Sequence, residues 1–192
     1  MGQNINIKNK NLIKIPENIQ VICCTKTNLI FFKGSLTTKT LKPTIKVFHI
    51  ENFIFVSKLP INKISKNTLK NLSQLQGTVL AQIKLILIEI SNTLYKKLIL
   101  IGVGYRTFMT ENLMNQITLK LGYSHLIYHK IPLFLNTYSV KNTKLFIFGV
   151  TSYNSLTQTS ASIRQCKVPE PYKGKGILYH QENIILKKGK KI

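Results

Sequence analysis

The chain contains no aspartate. Its acids are six glutamates scattered over 192 residues. Paired carboxylates for general acid–base chemistry need two acids brought together, and nothing in the spacing points to such a pair. Arginine is scarce too: Arg106 and Arg164 stand alone against 26 lysines. The cysteines are only Cys23, Cys24 and Cys166. An odd count with two adjacent implies no disulfide framework and fits a reducing compartment. No run reaches the roughly 18 uncharged apolar residues of a membrane-spanning helix. The nearest, Ile83 to Ile90, is broken by Lys84 and Glu89. Residues 1–14 are rich in Asn and Lys. They lack the apolar core of a signal peptide and the Arg- and Ser-rich pattern of a mitochondrial presequence.

What is present is positive charge. The formal net charge is +22. Self-repulsion of that size is most simply relieved by an anionic partner, either nucleic acid or an anionic membrane. Lys, Asn and Ile dominate together, the signature of an AT-rich genome. Lysine is therefore weak evidence of mechanism, and the two arginines, with their bidentate fork, gain interest.

The periodicity predicts an α+β chain. Short β-type runs lie at Ile19–Cys24, Leu29–Lys33, Leu36–Leu41, Ile45–Ile50 and Phe53–Ser57, separated by turn residues. The period then changes. Leu72, Leu75, Val79, Ile83, Ile86, Ile90 and Leu94 recur every three or four residues, which predicts a helix over 72–95. Strand patterns resume from Leu98 to Phe108, with a bulge or close backbone approach expected at Gly102-Val103-Gly104. Further strands are expected at 117–121, 126–131, 133–140 and 145–150. A second helix is expected over Tyr153–Arg164. Ile15-Pro16 recurs as Ile131-Pro132, and at the same offset Thr27, Leu29 and Phe32 match Thr143, Leu145 and Phe148. The expected architecture is two related α+β halves, each an antiparallel β-sheet packed against one helix, with a basic C-terminal extension. The boundaries are a basic arm at 1–14, halves at 15–96 and 97–167, and the extension at 168–192.

Catalytic motifs are missing. Gly102-Val103-Gly104 begins a G-x-G but leads into Tyr105-Arg106 and more strand, so a dinucleotide site is not expected. No G-x-S-x-G nucleophile signature occurs. His125 and His129 are four apart in a β pattern, and Cys23-Cys24 has no C-x-x-C partner, so neither a metal nor another cofactor is expected. The protein is read as a non-enzyme.

The most informative stretch is Val168-Pro169-Glu170-Pro171-Tyr172-Lys173-Gly174-Lys175-Gly176. The two prolines predict a stiff extended arm. The Lys-Gly alternation predicts a basic loop whose backbone can approach a phosphate chain. Tyr172 is open to two readings: a ring that stacks on a base, or an anchor holding the loop to the body. Arg164 is likewise either a phosphate fork or a cap of the second helix dipole.

Together, Gly102-Val103-Gly104-Tyr105-Arg106, Leu119-Lys120-Leu121-Gly122-Tyr123-Ser124-His125, Ile163-Arg164 and Pro169-to-Ile177 resemble the large-subunit ribosomal protein L-six family, from about Ile15 to Lys191. That resemblance implies two related halves and a structural role in the large ribosomal subunit and translation. It implies large-subunit rRNA as partner, near the sarcin–ricin loop and the stalk base, with neighbouring ribosomal proteins, and with elongation-factor GTPases transiently close. Carried across residue by residue, Arg164, Lys167, Tyr172, Lys173, Gly174, Lys175 and Gly176 fall on the RNA-facing motif. Lys187, Lys188, Lys190 and Lys191 fall on the basic tail. The chain departs from the family pattern at Leu178, where a basic residue is usual. A Lys/Asn/Ile-biased ribosomal protein without a presequence points to a mitochondrial gene, with an AT-rich bacterium or a plastid as alternatives. The competing function is a peripheral protein on anionic membranes, without membrane insertion.

Overall fold

The computed structural model describes residues 11–24, 27–60, 71–109, 115–149 and 152–189. Residues 61–70, the far end of the N-terminal arm and the last lysines, Lys190 and Lys191, lie outside these residues. The chain divides into two compact units, Met1–Asn92 and Thr93–Ile192.

In the first unit the strands are β1 (Leu12–Lys14), β2 (Gln20–Cys24), β3 (Leu29–Lys33), β4 (Thr38–Leu41), β5 (Ile45–Ile50) and β6 (Phe53–Pro60), followed by helix α1 (Leu72–Ser91). They form two antiparallel sheets, ordered β1-β6-β5 and β2-β3-β4. Alternation puts Ile30, Phe32, Ile54 and Val56 on the inner faces, where they meet Val79, Ile83, Leu87 and Ile90 of α1. Each half thus holds two small sheets around its helix. Leu12 to Lys14 also belong to this fold, paired with Phe53 to Phe55, and are not part of a loose arm.

In the second unit the strands are β7 (Leu94–Ile101), β8 (Arg106–Met109), β9 (Gln116–Lys120), β10 (Ile127–Lys130), β11 (Leu135–Val140) and β12 (Lys144–Gly149). Helix α2 (Tyr153–Gln165) and β13 (Gly176–Tyr179) follow. The sheets are ordered β10-β9-β8 and β11-β12-β7-β13, again antiparallel throughout. Leu98, Leu119, Leu145, Ile147, Leu156, Ile163 and Ile177 share one buried cluster.

The helix expected over 72–95 stops at Ser91. Asn92 is extended, with φ −130° and ψ 146°. Leu94 instead opens β7, opposite Gly149. The apolar period continues past the helix end because Leu94 is needed by a strand. Glycines 102 and 104 are not a bulge within one strand; they make the turn from β7 to β8, which lie in different sheets. The close approach expected there does occur: a Cβ on Gly102 would lie 2.8 Å from the Tyr105 ring.

The internal repeat has a physical counterpart. Ile15 N–H donates to Asn52 O at 2.8 Å and Ile19 N–H to Pro16 O at 3.1 Å. Ile131 N–H donates to Asn115 O at 2.7 Å and Leu135 N–H to Pro132 O at 3.0 Å. The pairing patterns place β10, β11 and β12 where the first unit has β1, β2 and β3, and β7, β8 and β9 where it has β4, β5 and β6. The two three-strand blocks have therefore changed places along the chain, and the helix follows both blocks in each unit. The match of Phe32 with Phe148 is off by one. Phe32 is buried, whereas Phe148 is 39% exposed and Ile147 takes the buried place. The β11–β12 turn is one residue shorter than the β2–β3 turn. In a period-two strand a one-residue slip moves every side chain to the other face.

Candidate nucleic-acid interface

Helix α2 begins at Ser152, whose hydroxyl accepts from Ser155 N–H at 3.3 Å. Its buried face is Leu156, Thr159, Ser160 and Ile163. The chain leaves it at Cys166 and turns at once. Lys167 O accepts from Ile177 N–H at 2.9 Å, Lys175 O from Glu170 N–H at 2.9 Å, and Glu170 O from Gly174 N–H at 3.0 Å. The segment read as a stiff arm is thus the first limb of a closed loop. The prolines keep that limb extended, but three backbone hydrogen bonds fold it back on the second limb.

Both glycines are structural in this closure. Gly174 sits at φ +69°, in the left-handed region where L side chains are strained. A Cβ on Gly176 would lie 2.6 Å from Pro169 Cα, a backbone atom that cannot yield without opening the loop. Lys173, just before Gly174, is exposed, and Lys175, between the two glycines, is half-buried. At the tip, Pro171, Tyr172 and Lys173 are exposed. Tyr172 is 55% exposed, so it is not an anchor to the body. The following chain returns over the loop: Lys187 N–H donates to Pro171 O at 2.9 Å, which brings the basic tail beside the tip. Lys187 and Lys188 are exposed there.

The other motif blocks meet behind the loop. Tyr105, Tyr123, Gln165, Cys166, Lys167, Val168, Glu170 and Lys175 line an open cleft of about 520 Å³. Tyr105 is nearly buried, held where glycines 102 and 122 leave room for its ring. Tyr123 stacks on His125, with centroids 5.8 Å apart, and donates to Cys166 O at 3.3 Å. The Lys167 ammonium lies 4.2 Å from the Tyr123 ring centroid, a cation–π contact that fixes the charge at the cleft wall. Tyr123 belongs to one of the motif blocks but was given no site role; its place beside Lys167 depends on chain return from a distant strand end.

Arg164 lies in the last turn of α2, where the helix-dipole reading put it, and it also has an anionic partner. Its guanidinium grips Glu182 with two nitrogens and lies 5.5 Å from the Tyr179 ring centroid. Glu182 also accepts from Tyr179 N–H at 3.1 Å. Arg164 is thus the clasp that ties the chain after β13 to the end of α2. The Arg164 hydrogen bond holds the Glu182 carboxyl below the usual carboxylate range, with the Tyr179 amide adding to it against some desolvation. Because the folded value is depressed, the clasp contributes fully above the ordinary carboxylate range and is lost as pH falls through the depressed value. Glu182→Gln should therefore raise proteolytic cleavage after residue 180 at neutral pH and flatten its acid dependence. A cleavage profile identical to the unmutated chain at every pH would remove this role.

Burial pushes the Cys166 thiol up, and the thiol donates to Ser162 O at 3.6 Å. His129 is engaged by Ser162 Oγ at 2.9 Å and by the Lys130 carbonyl. Among the described residues no group of three or more His, Cys, Asp or Glu is placed to hold a metal ion. No helix among them is long and apolar enough to cross a membrane.

Two α+β units of the same plan, the second carrying a closed basic loop, define the class of fold. No protein-family model matches the chain. Curated relatives do. It is 36% identical over 181 residues to large ribosomal subunit protein uL6 of Mycoplasma capricolum, covering 93% of this chain and 94% of that protein. It is 35% identical to uL6 of Mycoplasma genitalium over 96% of this chain and 95% of that protein. It is 40% identical to uL6 of Spiroplasma kunkelii over 93% of each. The chain belongs to the uL6 family. These relatives are bacterial and give no support to the expected mitochondrial origin.

Proposed function

We propose that the protein is a structural constituent of the large ribosomal subunit and binds large-subunit rRNA through its C-terminal loop and tail. The observation that carries this is the closed 167–177 loop. Its glycines fix a tip that presents Tyr172 and Lys173 to solvent, with Lys187 and Lys188 alongside. Lys167, Lys173 and Lys175 neutralise phosphates, while Tyr172 is free to stack on an unpaired base. Gly174 and Gly176 act by shaping the loop. Lys190 and Lys191 extend the same basic tail in sequence. Arg164 positions the tail through Glu182 and does not itself reach RNA. The finer location, near the sarcin–ricin loop and stalk base where elongation-factor GTPases and other ribosomal proteins gather, follows from the family resemblance.

The compartment reading changes with the relatives. An AT-rich bacterial cytoplasm suits them and the Lys/Asn/Ile bias together; the mitochondrial reading rests on composition alone.

The test is salt dependence. With about five phosphates engaged, log K should fall with log[salt] at a slope on the order of −4 for rRNA fragments. An affinity independent of salt would end this reading. Liposome flotation without RNA addresses the membrane alternative: the protein should remain at the bottom of the gradient.

A further inference from the structure

The second unit carries another surface that the loop and tail do not use. On the outer face of the β11-β12-β7-β13 sheet, Tyr95 lies opposite Phe148, and Phe146 lies between Lys97 and Tyr138. Tyr95 is 64% exposed, Tyr138 60% and Phe148 39%. Directly opposed side chains in such a sheet are about 5 Å apart, and alternate ones along a strand about 7 Å. The result is an aromatic grid across three adjacent strands. Lys97 stands within it, its ammonium 5.4 Å from the Phe146 ring centroid, and Lys144 lies two residues beyond Phe146 on the same face. Asn136, opposite Phe148, adds an amide. No glutamate occurs on these four strands.

The fold does not require these aromatics. The first unit builds the corresponding sheet from β2, β3 and β4. By register, Gln20, Ile22, Lys33, Thr38 and Thr40 occupy the places of Asn136, Tyr138, Phe148, Tyr95 and Lys97. Phe31, itself exposed, keeps a ring at the place of Phe146, but the same scaffold forms with no ring at the places of Tyr95, Tyr138 and Phe148, and those three exposed rings need another explanation. Exposed rings interleaved with lysines and free of acids match the faces and phosphates of unpaired nucleotides. A protein-docking face would be depleted in lysine at its centre.

We infer that this sheet face is a second RNA-binding site, taking a short single-stranded segment whose bases stack on Tyr95, Phe148 and Tyr138 while Lys97 and Lys144 meet its phosphates. It is separate in residues from the loop and tail, so either can fail without the other.

The experiment uses the full chain and fluorescein-labelled oligouridine and oligoadenine, read by anisotropy over a salt series. The double variant Tyr95→Ala/Phe148→Ala should lose about tenfold or more in affinity, in the range of base stacking on one or two rings, with an unchanged salt slope. Tyr95→Phe should retain binding. Lys97→Ala/Lys144→Ala should instead make the salt slope shallower. Lys173→Ala/Lys175→Ala, which tests the loop, should weaken rRNA-fragment binding and leave the oligonucleotide dependence on Tyr95 and Phe148 in place. Circular dichroism checks that each variant is folded. A folded Tyr95→Ala/Phe148→Ala protein with oligonucleotide affinity within twofold of the original overturns the inference. So does loss of a protein neighbour on subunit assembly with RNA affinity unchanged, which would make the face a protein-docking surface.

Discussion

Gly176→Val should reduce affinity for the large-subunit rRNA by at least tenfold, whereas Lys188→Ala should cost only two- to threefold. The substituted side chain would begin 2.6 Å from Pro169 Cα and 2.8 Å from Pro169 N, and neither atom belongs to a flexible side chain. Relief requires separating the two limbs of the loop. That breaks the hydrogen bonds from Ile177 to Lys167 and from Glu170 to Lys175, and with them the placement of Lys167, Lys173 and Lys175. Several phosphate contacts are then lost at once, although no charge has been removed. Lys188 is one exposed cation on a chain that carries many, so its loss removes about one screened contact. Filter binding at fixed salt compares the two. Equal effects, or a larger effect for Lys188→Ala, would show that the loop geometry is not what the RNA recognises.

The largest stability effect is expected in the first unit, at Lys39→Met. Lys39 on β4 pairs with Glu89 on α1, and the Glu89 side chain is almost fully buried. Removing Lys39 takes its ammonium from a buried carboxylate in a low-dielectric site, and losses of this kind run up to about 3–5 kcal/mol. The site is confined: Gly34 packs against Ile90, the next residue of α1, so closely that a Cβ would lie 1.8 Å from Ile90 Cγ2. Urea unfolding followed in the first unit should show this loss. The double change Lys39→Met/Glu89→Leu should recover much of it, because a pair of apolar residues needs no desolvation. A single variant as stable as the original protein would mean that Glu89 does not depend on Lys39.

The fold class and both helices were legible in the sequence because they rest on local periodicity. Leu72 to Ile90 repeats at helical spacing, and Ile117, Leu119 and Leu121 alternate at strand spacing, whatever surrounds them. The loop was legible because prolines and glycines restrict or free the backbone residue by residue. The end of α1 was not legible, because Leu94 fits an apolar helix face and an apolar strand equally well. The register of the repeat was missed for a similar reason: a turn shortened by one residue leaves composition unchanged but exchanges the faces of Ile147 and Phe148.

The sequence by itself determined the charge, the two-part α+β plan and the motif at Pro169 to Gly176. These depend on residue type and spacing within a few turns of chain. Only the tertiary structure decided that Arg164 is spent on Glu182, that Tyr123 holds Lys167, that Tyr172 faces solvent, and that Tyr95, Tyr138 and Phe148 share one exposed face. Each of those depends on which distant segments are brought together. Sheet pairing and chain return settle that through long-range contacts that no local pattern encodes.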